Sequence, residues 1–264
     1  MRLSPYFAFA KKSFLQKSAY RFNHLMSILN TIIRIFIFWE IYRALYGGRT
    51  EVDGITMSMV TTNFILSLGL EAVFGVDDYY LPNRIRDGSI ATELLLPVSF
   101  HGRMLASNLG NALFQLLFHF IPAFAVTVFA IGMECPASPV AFLAFLFSAL
   151  LGYGVLFAIS FLMQTLSFWL LNVWAIMTIK NVFVNVLSGA MIPLWFMPEW
   201  MSGIIRFSPF SSIYFIPVQI YLGQLSGKEI LFRFATQGFW IAVLLAGGAV
   251  LWKKGQRKLV VQGG

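Results

Sequence analysis

Three charged side chains interrupt long apolar runs: Arg34, Glu71 and Lys180. A charge at membrane depth is costly and marks either function or a paired structure. At about 1.5 Å per residue, Arg34 and Glu71 lie roughly 13 and 9 Å from the same end of their apolar segments, so they can pair between adjacent antiparallel helices. Lys180 lies deeper, and the sequence offers it no evident partner; a second subunit or a water-filled path could supply one. For all three, an ion pair or snorkelling is favoured over contact with a substrate.

The sequence offers little catalytic chemistry. It lacks the GxxxxGK[ST] phosphate loop, HExxH and GxSxG. His24, His101 and His119 are scattered without metal-ligand spacing, and the single Cys135 excludes an internal disulfide or a cysteine metal cluster. No pair of acids, and no nucleophile with its base, can be picked out. Catalytic and metal-ligating residues are therefore expected to be absent, as is a cofactor bound by this chain.

The densest polar island away from the ends runs from Asp77 to Arg103, DDYYLPNRIRDGSIATELLLPVSFHGR. Pro82 is expected to break the helix that precedes it. Asp87-Gly88 marks a turn. Ser89 is expected to cap a short helix, Ile90 to Leu96, that Pro97 stops. A short capped helix between two apolar segments suits an element on which something outside the membrane pushes.

These pieces need a frame, and the composition supplies it. Of 264 residues, 58% are hydrophobic and 11% charged, with a mean hydropathy of +0.76; soluble domains carry roughly 25% charged residues. The expected fold is an all-α polytopic membrane protein, one domain over residues 1–264. Six spans are predicted, at about Leu25–Tyr46, Ile55–Val76, Met104–Ile131, Val140–Met163, Phe168–Met191 and Phe234–Trp252. Gly152 and Gly154 are expected to allow close helix approach. The residues before the first span form a basic, aromatic lead-in (1–24). Phe7, Phe14, Leu15 and Phe22 fall on one side of a helix there, which reads as an interfacial helix. The alternative is a plain extension of the first span. No cleavable signal is expected.

The net charge of +8 is explained by topology rather than by nucleic acid. Most Lys and Arg, from Arg2 through Arg84 and Arg86 to Lys258, fall in segments that a cytoplasmic N-terminus would place inside. Arg43, Arg49, Arg206, Lys228 and Arg233 fall outside. Both termini are therefore expected in the cytoplasm.

One region is not a simple span. Ile192 to Gly227 is apolar and aromatic, yet Pro193, Pro198, Pro209 and Pro217 divide it into pieces too short to cross. It reads as a re-entrant pair of short helices dipping in from the outer face, with two further spans as the alternative.

Together, the basic lead-in, the six spans, the polar helix between spans two and three, and the Pro-rich hairpin before span six resemble a permease subunit of an ABC-2 type transporter. Locally, IRDGSIATELLLPVSF (Ile85–Phe100), LSGAMIPLWFMPEW (Leu187–Trp200) and SPFSSIYFIPVQIYLG (Ser208–Gly223) resemble a bacterial branch of ABC-2 permeases.

The resemblance implies an exporter of the bacterial inner membrane. It implies two separate ATP-binding subunits that hold ATP and Mg, and a second permease, either a copy or a sister chain. The helix from Ile90 would sit in a groove of the ATPase. Arg84, Arg86, Asp87 and Glu93 would be surface contacts, and Gly88, Ser89, Leu96 and Pro97 would shape the lever. The outer hairpin would close the exit, with Pro193, Pro198, Glu199, Pro209, Phe210, Pro217 and Gly223 as its gate residues. Spans one and five would line the interface between permeases. The substrate class stays open among amphiphile, lipid-like compound, drug, peptide and glycan. The competing reading is an ion-gradient-driven carrier or channel. Against it, no repeat relates the first three spans to the last three, and the mid-span charges Arg34 and Lys180 are positive.

Overall fold

A computed structural model describes residues 4–18, 21–170 and 172–258; Arg2, one of the cations expected inside, lies outside them. The architecture is helical apart from one small hairpin. Helix α1 (Ser4–Ser18) is followed by α2 (Arg21–Tyr46), the hairpin β1 (Glu51–Val52) and β2 (Ile55–Thr56), and α3 (Met57–Val73). The hairpin turns on Asp53 and Gly54, both at positive φ, the geometry that two-residue turns favour. Thr56 then caps α3, its hydroxyl accepting from the Met59 amide at 3.1 Å.

Next come α4 (Tyr80–Arg86), α5 (Ile90–Leu94), α6 (Phe100–Gln115), α7 (Ile121–Ile131), α8 (Pro139–Thr165) and α9 (Trp174–Leu187). The chain ends with α10 (Glu199–Phe207), α11 (Phe215–Tyr221) and α12 (Gly227–Gln256).

Among the described residues, four stretches are long and apolar enough to cross a bilayer: Phe22–Tyr46, Phe100–Ile131, Pro139–Phe168 and Gly227–Gln256. The other two predicted spans are shorter helices, Met57–Val73 and Trp174–Leu187. At 1.5 Å per residue they are roughly 25 and 21 Å long, against a hydrocarbon core of about 30 Å. The middle of α3, Val60 to Leu70, is buried within the protein. α9 starts late: the chain passes through a 3₁₀ turn, Leu166–Phe168, and is not helical at Leu170, Asn172 and Val173.

Phe100–Ile131 is continuous but contains a π-turn, Leu116–Phe120, just before Pro122. Pro122 has no N–H to give to the Phe118 carbonyl and would crowd it, so the helix widens there. His24 of α2 takes up the freed carbonyl, its Nε2 lying 2.6 Å from the Phe118 oxygen. His119, on the same turn, is bonded by Thr31 (2.9 Å) and Ser27 (3.3 Å), also of α2. Histidines that look scattered in sequence are thus brought together, with the His24 and His119 rings 5.8 Å apart. Among the described residues, no group of three metal-ligating side chains forms.

The main core lies among α3, α8 and α11, around Leu66, Phe74, Tyr153, Ile213 and Tyr214. Glycine makes the closest approach possible: a Cβ at Gly152 would stand 2.6 Å from the Ile213 carbonyl oxygen.

The lead-in departs from the one-sided reading. α1 ends at Ser18, so Phe22 belongs to α2. Phe14 packs inward on Phe114 and Phe118, while Phe7 and Leu15 point outward. α1 lies along α6, with Tyr6 Oη 3.1 Å from Ser99 Oγ and the Ala10 carbonyl seated over Gly110, where any Cβ would collide with it.

Candidate functional site

The polar stretch folds into a braced unit. Pro82 does not end α3, which stops at Val73; it occupies the third position of α4, in the first turn, where a missing N–H costs nothing. Pro217 does the same in α11. Ser89 does not cap α5 with its side chain. Asp87 shapes the turn instead, its Oδ1 accepting from the Ser89 amide (2.9 Å) and hydroxyl (2.7 Å), with Gly88 at φ 75°. These hydrogen bonds, from the hydroxyl first and then the amide, hold the Asp87 carboxyl below its ordinary pKa. α5 stops at Leu94, two residues earlier than predicted, and Pro97 follows.

Glu93 ties three helices together. Arg84 Nε donates to its Oε1 at 2.5 Å, and Arg103 Nη1 lies 3.3 Å from its Oε2. Arg103 Nη2 also donates to the Glu93 carbonyl at 2.8 Å, and Arg84 Nη1 donates to the Tyr80 carbonyl at 2.6 Å. The Arg84 guanidinium lies 3.6 Å from the centre of the Tyr80 ring. Arg84 and Glu93 are therefore turned into the unit rather than offered as surface contacts. Arg86, Asp87, Gly88, Leu96 and Pro97 are exposed, and Ser89 is half-buried. Sequence reasoning misses Leu95, which stands 84% exposed at the tip. A leucine inside an apolar LLL run gives no sign of which member faces out.

Beneath this tip, Tyr80, Leu81, Ile90, Phe100 and Met104 pack against Phe157 and Phe161 of α8 and Trp252 of α12. Phe100 stacks on Trp252 at 4.9 Å.

Buried amides fix the segment of chain leading into the unit. Gln164 of α8 accepts from the Leu81 amide and donates to the Asp77 carbonyl, both at 3.0 Å. Asn108 accepts from the Asp77 amide at 2.9 Å. Lys180 of α9, for which the sequence offers no evident partner, has one in the chain: its Nζ donates to both Asp78 oxygens and to Ser160 Oγ. The Arg34–Glu71 pair that the depths allow is formed, through two parallel bonds of 3.1 Å each.

The Pro-rich segment forms a second unit. Pro193 precedes a 3₁₀ turn, Leu194–Phe196, and Pro198 precedes α10, whose first residue is Glu199. Pro209 and Phe210 lie in the connection to α11, and Phe210 stacks on Phe183 at 6.2 Å. Gly223, at φ 70°, ends α11 beside Ala137. Gln237 of α12 clamps the connection, donating to the Ser212 carbonyl (2.8 Å) and the Ser148 carbonyl (3.1 Å) while accepting from Ser148 Oγ.

No curated protein matches the chain. A family profile described as ABC-2 family transporter protein matches residues 28–263, which takes in both units and, apart from the start of α2, every apolar helix. The chain is a multi-pass membrane protein and belongs to the ABC-2 family of transporter proteins.

Proposed function

We propose that this chain is the permease subunit of an ATP-driven exporter, with α5 and its flanking turn as the element that separate ATPase subunits push. One observation carries the reading: an exposed tip (Arg86, Asp87, Leu95, Leu96) on a base that cannot yield, because Glu93 joins α4, α5 and α6 and the base packs on α8 and α12. A lever needs both a free contact face and a stiff root. ATP and Mg belong to the partner, in keeping with a sequence that has no phosphate loop.

In this reading α2, α3, α6–α7, α8, α9 and α12 are the six spans, both termini face the cytoplasm of a bacterial inner membrane, and a second permease completes the path. The α10–α11 segment is the outer re-entrant gate. The chain supplies the route for an exported amphiphile, lipid-like compound, drug, peptide or glycan, and the partner supplies the hydrolysis.

The test is co-purification. The tagged chain is extracted gently from native membranes and its companions identified, beside Asp87→Lys and Leu95→Asp variants checked for expression and insertion. Recovery of a phosphate-loop ATPase with the parent chain and its loss with both variants supports the assignment. A well-folded chain that brings no ATPase under several extraction conditions, yet transports on an ion gradient, overturns it.

A further inference from the structure

The side of the braced unit facing α1 encloses a cleft of about 650 Å³, inside the roughly 300–1,000 Å³ typical of small-molecule sites. Four cations line it, Lys12 and Lys17 from α1, Arg84 from α4 and Arg103 from α6, against two acids, Asp77 and Glu93. Glu93 is already engaged by both arginines. Lys12 and Lys17 have no acid partner among the described residues. The cleft is therefore left with an excess of positive charge.

Its donors are also in surplus. Arg103 is 2% exposed, yet its Nε has no acceptor, an arrangement that buried charged donors seldom tolerate. Ser13, Gln16 and Gln115, also on the walls, make no side-chain hydrogen bond among the described residues. Two acceptors lack a hydrogen-bond partner too: Glu93 Oε2, whose charge is met by Arg103 at 3.3 Å, and Asn111 Oδ1, which suits a P–OH or a headgroup hydroxyl. A compact anion with several acceptor oxygens answers this inventory, and an apolar ligand does not.

We propose that the cleft binds a phosphate-bearing anion, either the headgroup of an anionic phospholipid or a soluble phosphorylated compound. Arg103 and Arg84 form its floor, and Lys12 and Lys17 close over it from α1. The proposal rests on the cleft alone and stands or falls independently of any ATPase partner.

The chain is purified into nanodiscs of phosphatidylcholine and its unfolding followed with inorganic pyrophosphate, against sodium chloride of equal ionic strength. A parallel arm replaces part of the lipid with phosphatidylglycerol and counts retained lipids by native mass spectrometry. The expected result is a saturable rise of about 3 °C in unfolding temperature at tenfold excess over Kd, or selective retention of phosphatidylglycerol.

A pyrophosphate response alone assigns a soluble ligand, and phosphatidylglycerol retention alone assigns a lipid; both support the proposal. Because Arg103→Gln also loosens Glu93, the decisive variant is the double substitution Lys12→Gln/Lys17→Gln, at two exposed positions whose replacement should leave the fold intact by circular dichroism. That variant must lose most of the effect. No response beyond the chloride control in either arm, or a full response in the variant, overturns the proposal.

Discussion

Lys180 Nζ donates to both carboxylate oxygens of Asp78, at 2.5 and 2.6 Å, across 102 residues of chain. Both side chains are nearly buried, 4% and 11% exposed. Removing one member leaves a buried charge unpaired, at a cost of roughly 3–5 kcal/mol. Lys180→Met and Asp78→Leu are each expected to lower the unfolding midpoint sharply. The double variant should lose much less than the sum, as a double-mutant cycle in detergent reads directly. Strict additivity would mean that the two side chains do not interact.

Arg34 and Glu71 make the same test between α2 and α3. Glu71→Gln and Arg34→Gln should each destabilise, by about 2–4 kcal/mol, whereas Arg34→Leu/Glu71→Leu should recover most of that loss. Purified yield and thermal unfolding in nanodiscs report the order. A double variant worse than either single would assign the two charges separate roles.

His24 and Pro122 are coupled through the Phe118 carbonyl. His24→Leu leaves that oxygen unsatisfied and is expected to cost about 1–2 kcal/mol. In a Pro122→Ala background the backbone can bond it again, and the same substitution should then cost little. An equal cost in both backgrounds would show that the histidine matters for some other reason.

The exposed tip separates function from stability. Leu95→Asp should abolish ATPase capture while the unfolding midpoint stays close to that of the parent chain, as surface substitutions usually leave it. Asp87→Lys should abolish capture with a small fall in the midpoint, since it also loses the two hydrogen bonds from Ser89. Glu93→Lys should lose both, since it sets a third cation between Arg84 and Arg103. Pull-down and thermal unfolding on the same preparations distinguish the two patterns.

Asp87 carries a pH signature. Its folded pKa is depressed by hydrogen bonds from Ser89. The stability it contributes is therefore complete above the ordinary aspartate value of about 3.9 and is lost as pH falls through the lower folded value. No Asp87-dependent change is expected between neutral pH and that ordinary value. A ¹³C-carboxyl titration should place the Asp87 midpoint below that of an ordinary aspartate, and the signal should vanish in Asp87→Asn.

Much of this arrangement is local or periodic, and such features are readable from sequence. Apolar runs announce the long helices, and depth arithmetic brings Arg34 to Glu71 because both lie on neighbouring helices. The Asp87-Gly88 turn is written in its own dipeptide. What escapes reading depends on contacts distant in the chain. Asp78 looks like one more acid in a polar loop until α9 delivers Lys180 to it. Gln164 looks like a polar end to a span, whereas it holds two backbone groups 83 and 87 residues away. Pro82 and Pro217 look like breaks in sequence, although proline in a first turn starts a helix as readily as it ends one. Glu93 looks like a surface contact because an acid on a short polar helix is usually solvated; two arginines, one on either side, turn it inward.

The two buried glutamine clamps have a consequence for motion. One joins the connection before α11 to α8 at Ser148, and the other joins the chain before α4 to α8 at Gln164. Both anchor points lie on a single helix whose only proline is its first residue. They are separated by roughly 24 Å of rigid rod at 1.5 Å per residue. Such a rod transmits thrust along its axis without loss, and when it rocks about its middle it carries its two ends in opposite directions. Were α8 to tilt about its middle, an inward displacement at one clamp would accompany an outward displacement at the other.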